Sequence, residues 1–240
     1  LVAAMAANNE TGVIQPIAEI ARIVKDAGAF LLVDVVQAAG KIAVPEADYL
    51  TFSAHKLGAP QGIGALVVKE SAPFATQLLG GGQEKSHRAG TENVAGIIGL
   101  VAAMEKFVKP PVFEPAKMKS LADKLISAIE KIDGCEIVSP RENCLANMVS
   151  FVVRGADSIA LLAGLDVEGI CASSGSACSA GSLNPSHVIV AIGKKDLANS
   201  LVRFSLGRDS TAEEIDFVCA ALPEIVKRAR KHFPPTPARD

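Results

Sequence analysis

Two uninterrupted apolar runs, Leu1 to Ala7 and Phe30 to Val33, bracket a stretch in which Ile17, Ile20, Ala21 and Val24 recur at helical spacing. Strands that are apolar at every position, joined through a helix, form the pattern of a parallel βαβ unit whose strands are covered on both faces. A right-handed crossover is the natural connection. Turn chemistry punctuates the pattern: Asn8-Asn-Glu-Thr-Gly12 follows the first run, Pro16 sits in the first helical turn, and Gly28 ends the helix. The second strand terminates at Asp34, and polar groups at strand C-termini of such sheets face the ligand crevice. A buried strand needs neighbours, so the opening run reads as the later part of a longer protein.

Composition narrows the function classes. The 240 residues are 49% hydrophobic with a formal net charge of −2, enough apolar material for a well-packed core and too little positive charge for a nucleic-acid binder. Aromatics are 4%, with no Trp and one Tyr, which leaves little material for base-stacking platforms or membrane-interface belts. No run reaches transmembrane length. The five cysteines, Cys135, Cys144, Cys171, Cys178 and Cys219, are odd in number and lack metal-ligand spacing, so neither a disulfide framework nor a metal site is expected and a cytoplasmic setting follows.

Further along, strands are expected over Tyr49 to Phe52 and Ala65 to Val68, flanking the turn Ser53-Ala-His-Lys56 and a Gly-rich segment. A polar loop from Gly80 ends at Thr91, expected to cap a helix over 92–108. Lys109-Pro-Pro111 and Pro115 break that helix and mark a domain boundary, giving domains over 1–109 and 110–233 and a loose Pro-rich tail, 234–240. The second domain is read as α+β: helices near 116–132, from Asp157 and over 211–231, and strands near 135–139, 148–153 and 201–206.

The chemistry-bearing residues gather at strand ends. Asp34, Gln37, Ser53, His55 and Lys56 follow two neighbouring strands. Singly, each is ordinary: a strand-end Asp is usually a turn residue, and a Lys is usually a solvated charge. Together they match pyridoxal 5′-phosphate (PLP), whose aldehyde needs an amine and whose ring nitrogen needs a carboxylate to stay protonated. Lys56 would take the aldehyde, Asp34 the ring nitrogen and Gln37 the ring hydroxyl, with Ser53 and His55 reaching the phosphate. Cys178 lies in a run of small residues, Ser173 to Ser182, and reads as an exposed nucleophile; the other four cysteines read as buried filler. His187 and His232 are taken as helix-face residues and Lys194-Lys195 as a solvated pair.

Six blocks, in order, carry a resemblance: Asn8-Asn-Glu-Thr-Gly12, Asp34-x-x-Gln37, Ser53-Ala-His-Lys56, Gly80-Gly-Gly-Gln-Glu84 with Arg88-Ala-Gly-Thr-Glu-Asn93, Ser173-Ser-Gly-Ser-Ala-Cys178 and Arg203-Phe-Ser-Leu-Gly-Arg208. The chain resembles the cysteine desulfurases of the NifS/IscS type, in class V of the PLP-dependent aminotransferases. The resemblance implies an α/β chain of PLP-dependent transferase fold type I. Residues 1–109 would then be part of the large PLP-binding domain and 110–233 the small C-terminal domain carrying the catalytic Cys loop. It also implies a homodimer, with Cys178 and Lys56 catalytic. Arg203, assisted by Asn9, would anchor the L-cysteine carboxylate, and Thr91 would reach the partner subunit's cofactor phosphate. Sulfur acceptors such as an iron–sulfur scaffold protein or a tRNA-thiolation protein are implied partners. The family's phosphate-cradling turn and ring-stacking histidine belong to a region ahead of Asn8, so this chain alone is expected to bind PLP poorly and to lack activity. A selenocysteine lyase, another class V PLP lyase and a cofactor-free binding or scaffold fragment are the competing readings.

Overall fold

The structure, a computed structural model, describes residues 1–108, 111–175 and 185–231. It divides into two compact units, Leu1–Ala7 with Ile14–Val112 and Asn8–Val13 with Phe113–Asp240. The division thus follows Val112, and the Asn-Asn-Glu block is counted with the second unit.

In the first unit the described elements run β1 (Val2–Met5), α1 (Ile17–Asp26), β2 (Leu31–Asp34), β3 (Tyr49–Ser53), β4 (Gly64–Val68) and α2 (Val94–Phe107). The sheet order is β1-β2-β3-β4. β1, β2 and β3 are parallel, with Met5 opposite Asp34 and Asp34 opposite Thr51, while β4 returns antiparallel to β3. Helix α1 presents Ile17 and Val24 to a core of Leu31, Val33, Val35, Leu57 and Leu100. It stops because Gly28, at φ +63°, takes the left-handed conformation just past the C-cap.

Among the described residues β1 pairs on one side only, with β2, and Val2 and Met5 are about 40% exposed; the buried residues of the opening run are Ala6 and Ala7, beyond the strand. One expectation for this unit is corrected. The cap of α2 is Asn93, whose Oδ1 accepts from the Gly96 N–H at 3.0 Å; Thr91 lies two residues earlier and is exposed. The Val94 N–H already bonds the Glu92 carbonyl, so the chain turns into the helix only at Asn93, as good a capping residue as threonine.

The second unit contains α3 (Pro115–Ile129), β5 (Cys135–Ile137), β6 (Met148–Val153), α4 (Ser158–Val167), α5 (His187–Ala191), β7 (Val202–Ser205) and α6 (Ala212–Lys231). The three strands form an antiparallel sheet with β6 in the centre. All six residues of β6 are buried; α3, with its buried Met118, Leu125 and Ile129, packs against β6 and against α6, where Leu222, Ile225 and Val226 are buried. Pro115 opens α3 at a position where its missing N–H costs nothing, and Asp157 caps α4 by accepting from the Ile159 N–H at 2.7 Å.

The Asn8–Val13 segment is stitched into this unit. Asn8 Oδ1 accepts from the Glu10 and Thr11 N–H groups, both at 2.9 Å, shaping the turn. Ser139 donates to the Thr11 carbonyl at 2.7 Å, the Leu145 N–H donates to the Gly12 carbonyl, and Ser150 donates to the Glu10 carbonyl. Gly12 has φ +79°, and a Cβ there would meet Cys144 Sγ at 2.7 Å, so both backbone and packing require glycine.

Candidate active site

Parallel pairing brings the C-terminal ends of β2 and β3 side by side, and the sequence spends its polar residues there. The Val35 N–H continues the ladder to the Thr51 carbonyl at 3.1 Å, after which the chain turns away. Asp34 fixes that turn, since its Oδ1 accepts from the Val36 N–H at 2.8 Å, and it is half-buried. Gln37, three residues on, is also half-buried and its Oε1 accepts from Lys41 Nζ at 3.1 Å.

After β3 the chain makes one 3₁₀ turn, Ala54–Leu57. Residues three apart eclipse in such a turn, so Ala54 and Leu57, 0% and 3% exposed, share the inward side and His55 and Lys56 are left off it. His55 is exposed with Nδ1 2.8 Å from Ser53 Oγ, while Lys56 is half-buried. Gly58, at φ +79°, closes the turn. Asp34, Gln37, Ser53, His55 and Lys56 therefore come from two adjacent strand ends of one unit. Thr91 belongs to the loop before α2, where Glu84, Lys85 and Ser86 have φ between 49° and 65°, a left-handed run that side chains resist. The Thr76 hydroxyl, donating to the Ser86 carbonyl at 2.9 Å, helps hold that run.

In the second unit Arg203 lies on β7, opposite Ser150 of β6. Ser173 adds a bridge on its other side, with N–H to carbonyl bonds of 3.0 and 2.7 Å in the two directions. The side chain is 9% exposed, so it is not a surface ion pair. Its Nη1 donates to the carbonyls of Asn9, at 2.5 Å, and Gly175, at 2.9 Å, while its buried Nε–H has no acceptor among the described residues. Burial pulls the Arg203 pKa below its usual range, and the nearby Glu10 carboxylate partly offsets this. Asn9 meets Arg203 through its backbone oxygen.

Cys178 and His232 lie outside the described residues, as does the tail from 234. The remaining cysteines are not buried filler: Cys171 is exposed, and Cys135, Cys144 and Cys219 are half-buried. Cys135 opens β5, Cys144 lies in the segment before β6, Cys171 follows α4 and Cys219 lies on α6. Desolvation nevertheless pushes the Cys135 and Cys144 thiols up to about 11. An ordinary thiol near 8.5 is roughly a tenth ionised at pH 7.5 and one near 11 roughly three parts in ten thousand. Iodoacetamide at pH 7.5 should therefore modify Cys135 and Cys144 about three hundredfold more slowly in the folded protein than in urea, as peptide mapping over time will show; equal rates would contradict the burial of these thiols.

Two further residues differ from expectation. Lys194 is not a solvated charge: its Nζ pairs with Glu136 at 2.6 Å, and Arg154 pairs with the other oxygen at 2.7 Å. Lys194 and Arg154 together hold the Glu136 carboxyl below its ordinary pKa. Glu10, read only as part of a turn, is 2% exposed, and its Oε2 accepts from Ser186 Oγ at 2.5 Å. A glutamate in an Asn/Thr/Gly turn is ordinarily solvated, so only the distant partners Ser150, Ser186 and Arg203 reveal it. Among the described residues no three His, Cys, Asp or Glu gather as a metal site, and no helix is long and apolar enough to cross a membrane.

The Aminotransferase class-V family matches residues 1–218. Cysteine desulfurase IscS of Clostridium botulinum is 40% identical over 245 residues, covering 98% of this chain and 61% of that protein. A cysteine desulfurase of Nostoc is 43% identical over 242 residues, covering 98% and 60%. Among solved structures, a NifS-like protein from Rickettsia africae superposes with a TM-score of 0.85 at 34% identity, over 94% of this chain and 61% of the other. The apo cysteine desulfurase of Thermococcus onnurineus gives 0.80 at 28% identity, over 94% and 59%. The chain thus spans about 60% of the length of the curated relatives it matches. With a family match that runs through both units and an α/β architecture shared with NifS-like structures, the chain belongs to the aminotransferase class-V family.

Proposed function

We propose that the intact protein is a PLP-dependent cysteine desulfurase, removing sulfur from L-cysteine as a persulfide on Cys178 and releasing L-alanine. The observation that carries this reading is the buried guanidinium of Arg203, whose Nε–H has no acceptor among the described residues. A buried donor without a partner is costly, and a substrate carboxylate is the acceptor that a planar fork of donors fits. The relatives' names as cysteine desulfurases support the choice of amino acid.

The residues at the β2 and β3 ends fit the cofactor chemically: an amine, a carboxylate, an amide, a hydroxyl and an imidazole on one sheet edge. When bound, PLP supplies an aldehyde that condenses with amines and a ring that accepts the electron pair left by a departing Cα proton. Asp34 keeps a proton at the ring nitrogen, Gln37 hydrogen-bonds the ring hydroxyl, and Ser53 with His55 binds the phosphate. Lys56, which would hold the cofactor through Nζ, would accept the Cα proton as a general base. Arg203 orients the substrate through its carboxylate, with Asn9 beside it, and Thr91 serves the phosphate site of a partner subunit. The Cys178 thiolate attacks the substrate sulfur. An S–S bond forms, the C–S bond breaks with its electron pair left on Cβ, a proton taken up at Cβ makes the methyl group, and Lys56 returns its proton to Cα to give L-alanine. The net change is L-cysteine plus a thiol to L-alanine plus a persulfide. A homodimer in the cytoplasm passing sulfur to an iron–sulfur scaffold or tRNA-thiolation protein completes the proposal.

The test is to give the intact protein PLP and L-cysteine and to follow L-alanine and the added sulfur on Cys178 by mass spectrometry. One persulfide per active chain is expected. Cys178→Ser should keep the visible absorbance of the bound cofactor and form no persulfide. Wild-type protein that binds PLP yet yields neither product would refute the reading.

A further inference from the structure

A buried carboxylate needs a reason, because desolvating the charge costs several kcal/mol and a neutral side chain would fill the same place more cheaply. Glu10 is such a group, at 2% exposure. Its surroundings share one property. Ser186 Oγ donates to its Oε2 at 2.5 Å and also caps α5 by accepting from the Ile189 N–H at 3.1 Å. Arg203 lies close enough for the two charges to interact, and the same arginine donates to the Gly175 carbonyl at 2.9 Å and to the carbonyl of Asn9, the residue preceding Glu10. Glu10 Oε2 itself comes within 3.8 Å of where a Gly175 Cβ would stand. Ser150, opposite Arg203 on β6, donates to the Glu10 backbone carbonyl and fixes the residue from below.

The stretch that contains Cys178 directly follows Gly175, and Ser186 lies one residue past the described Pro185 on its other side. We propose that Glu10 is a positioning residue that ties both flanks of the Cys178 segment, through Ser186 on one side and through Arg203 and Gly175 on the other, to the residue that anchors the substrate carboxylate. This rests on the desulfurase reading for its kinetic consequence, and on the hydrogen bonds alone for its structural one. Glu10 does not touch substrate. Its effect is on where the thiol begins its approach, and misplacement of about 1 Å at a reacting group can cost up to 10²-fold.

The test compares Glu10→Ala, Ser186→Ala, the double variant and Ser186→Thr in the intact protein, with Glu10→Gln as the variant that keeps an acceptor for Ser186 and the shape of the buried site. Glu10→Ala and Ser186→Ala should each lower kcat for persulfide formation about tenfold with KM for L-cysteine within about twofold. The double variant should be no worse than either single one, and Ser186→Thr should restore the rate. Hydrogen exchange at the Ser173 and Ile189 amides, measured without cofactor or substrate, should quicken in Glu10→Ala and Ser186→Ala and stay near wild type in Glu10→Gln. A rise in KM with unchanged kcat, multiplicative effects in the double variant, or unchanged exchange would overturn the proposal. Should wild type form no persulfide, the desulfurase reading fails instead, and the exchange measurements still decide whether Glu10 ties the two flanks. If Glu10→Ala does not fold, Ser186→Ala and Ser186→Thr, at a half-buried position, carry the same decision.

Discussion

Replacing Lys56 by alanine is expected to lower L-alanine release by the intact protein by a factor of about 10⁴ or more. General-base catalysis alone contributes about 10²–10⁴, and on the proposed reading the same amine also holds the cofactor aldehyde, so both contributions would vanish with one side chain. The fold should survive. The turn carrying Lys56 is held by Ala54 and Leu57, which are buried, and by the hydrogen bonds from the Ala54 N–H to the Ile63 carbonyl and the Ala59 N–H to the Ala54 carbonyl, each 3.1 Å. The variant should therefore melt with wild type and lose the visible absorbance of bound PLP. Lys56→Arg sharpens the measurement, because guanidinium keeps the charge but cannot give up its proton at neutral pH and so cannot act as base. Residual turnover within tenfold of wild type in Lys56→Ala would remove Lys56 from the chemistry and with it the assignment of Asp34 and Gln37.

A second large effect is expected in the other unit. Phe151 is 0% exposed in the middle of β6 and stacks on Phe204 of β7, with ring centroids 5.8 Å apart and planes 20° from parallel. Phe151→Ala should destabilise the second unit by about 3–5 kcal/mol, since the cavity left behind cannot collapse between two strands already in register. Native-state hydrogen exchange reads this locally: amides of β5 to β7 should exchange about 10²–10⁴ times faster, while those of β1 to β4 stay unchanged. The consequence reaches the site. Ser150, the residue before Phe151, is opposite Arg203, so a loosened β6 frees the arginine that the proposal needs fixed. Exchange rising equally in both sheets would mean that the two units do not unfold separately; no rise at all would mean that Phe151 is not a core residue.

What was legible in the sequence was whatever depends on neighbours along the chain. The parallel βαβ unit, the end of β2 at Asp34, the bounds of β6 at Met148 and Val153 and the start of α4 at Asp157 all follow from local apolar pattern and turn chemistry. The gathering of Asp34 with the Ser53 to Lys56 turn was also readable, because parallel strands align their C-terminal ends whatever the rest of the fold does. Properties set by distant residues were not. Nothing near Glu10 in the chain says that Ser150 and Ser186 will enclose it, and nothing near Lys194 says that Glu136, 58 positions earlier, will pair with it. Arg203 was recognised through the similarity of its motif rather than its surroundings; its burial depends on Asn9, 194 positions away. Thr91 illustrates a different failure: two acceptable capping residues lay two positions apart, and the turn at Glu92 decided between them.

The stitching of Asn8–Val13 into the second unit bears on the order in which the chain can mature. Its partners Ser139, Leu145, Ser150 and Arg203 leave the ribosome between 128 and 194 positions after the residues they bind. At about 5–20 residues per second, the Glu10 turn waits roughly ten to forty seconds for Arg203. Until then the strands on either side of that turn can pair, but a carboxylate destined for the interior remains in water, and the stretch is open to proteases and holdase chaperones. Translation speed over the codons that separate the Glu10 turn from Arg203, and not the neighbouring apolar strands, should therefore govern how much of this protein is recovered in its native form.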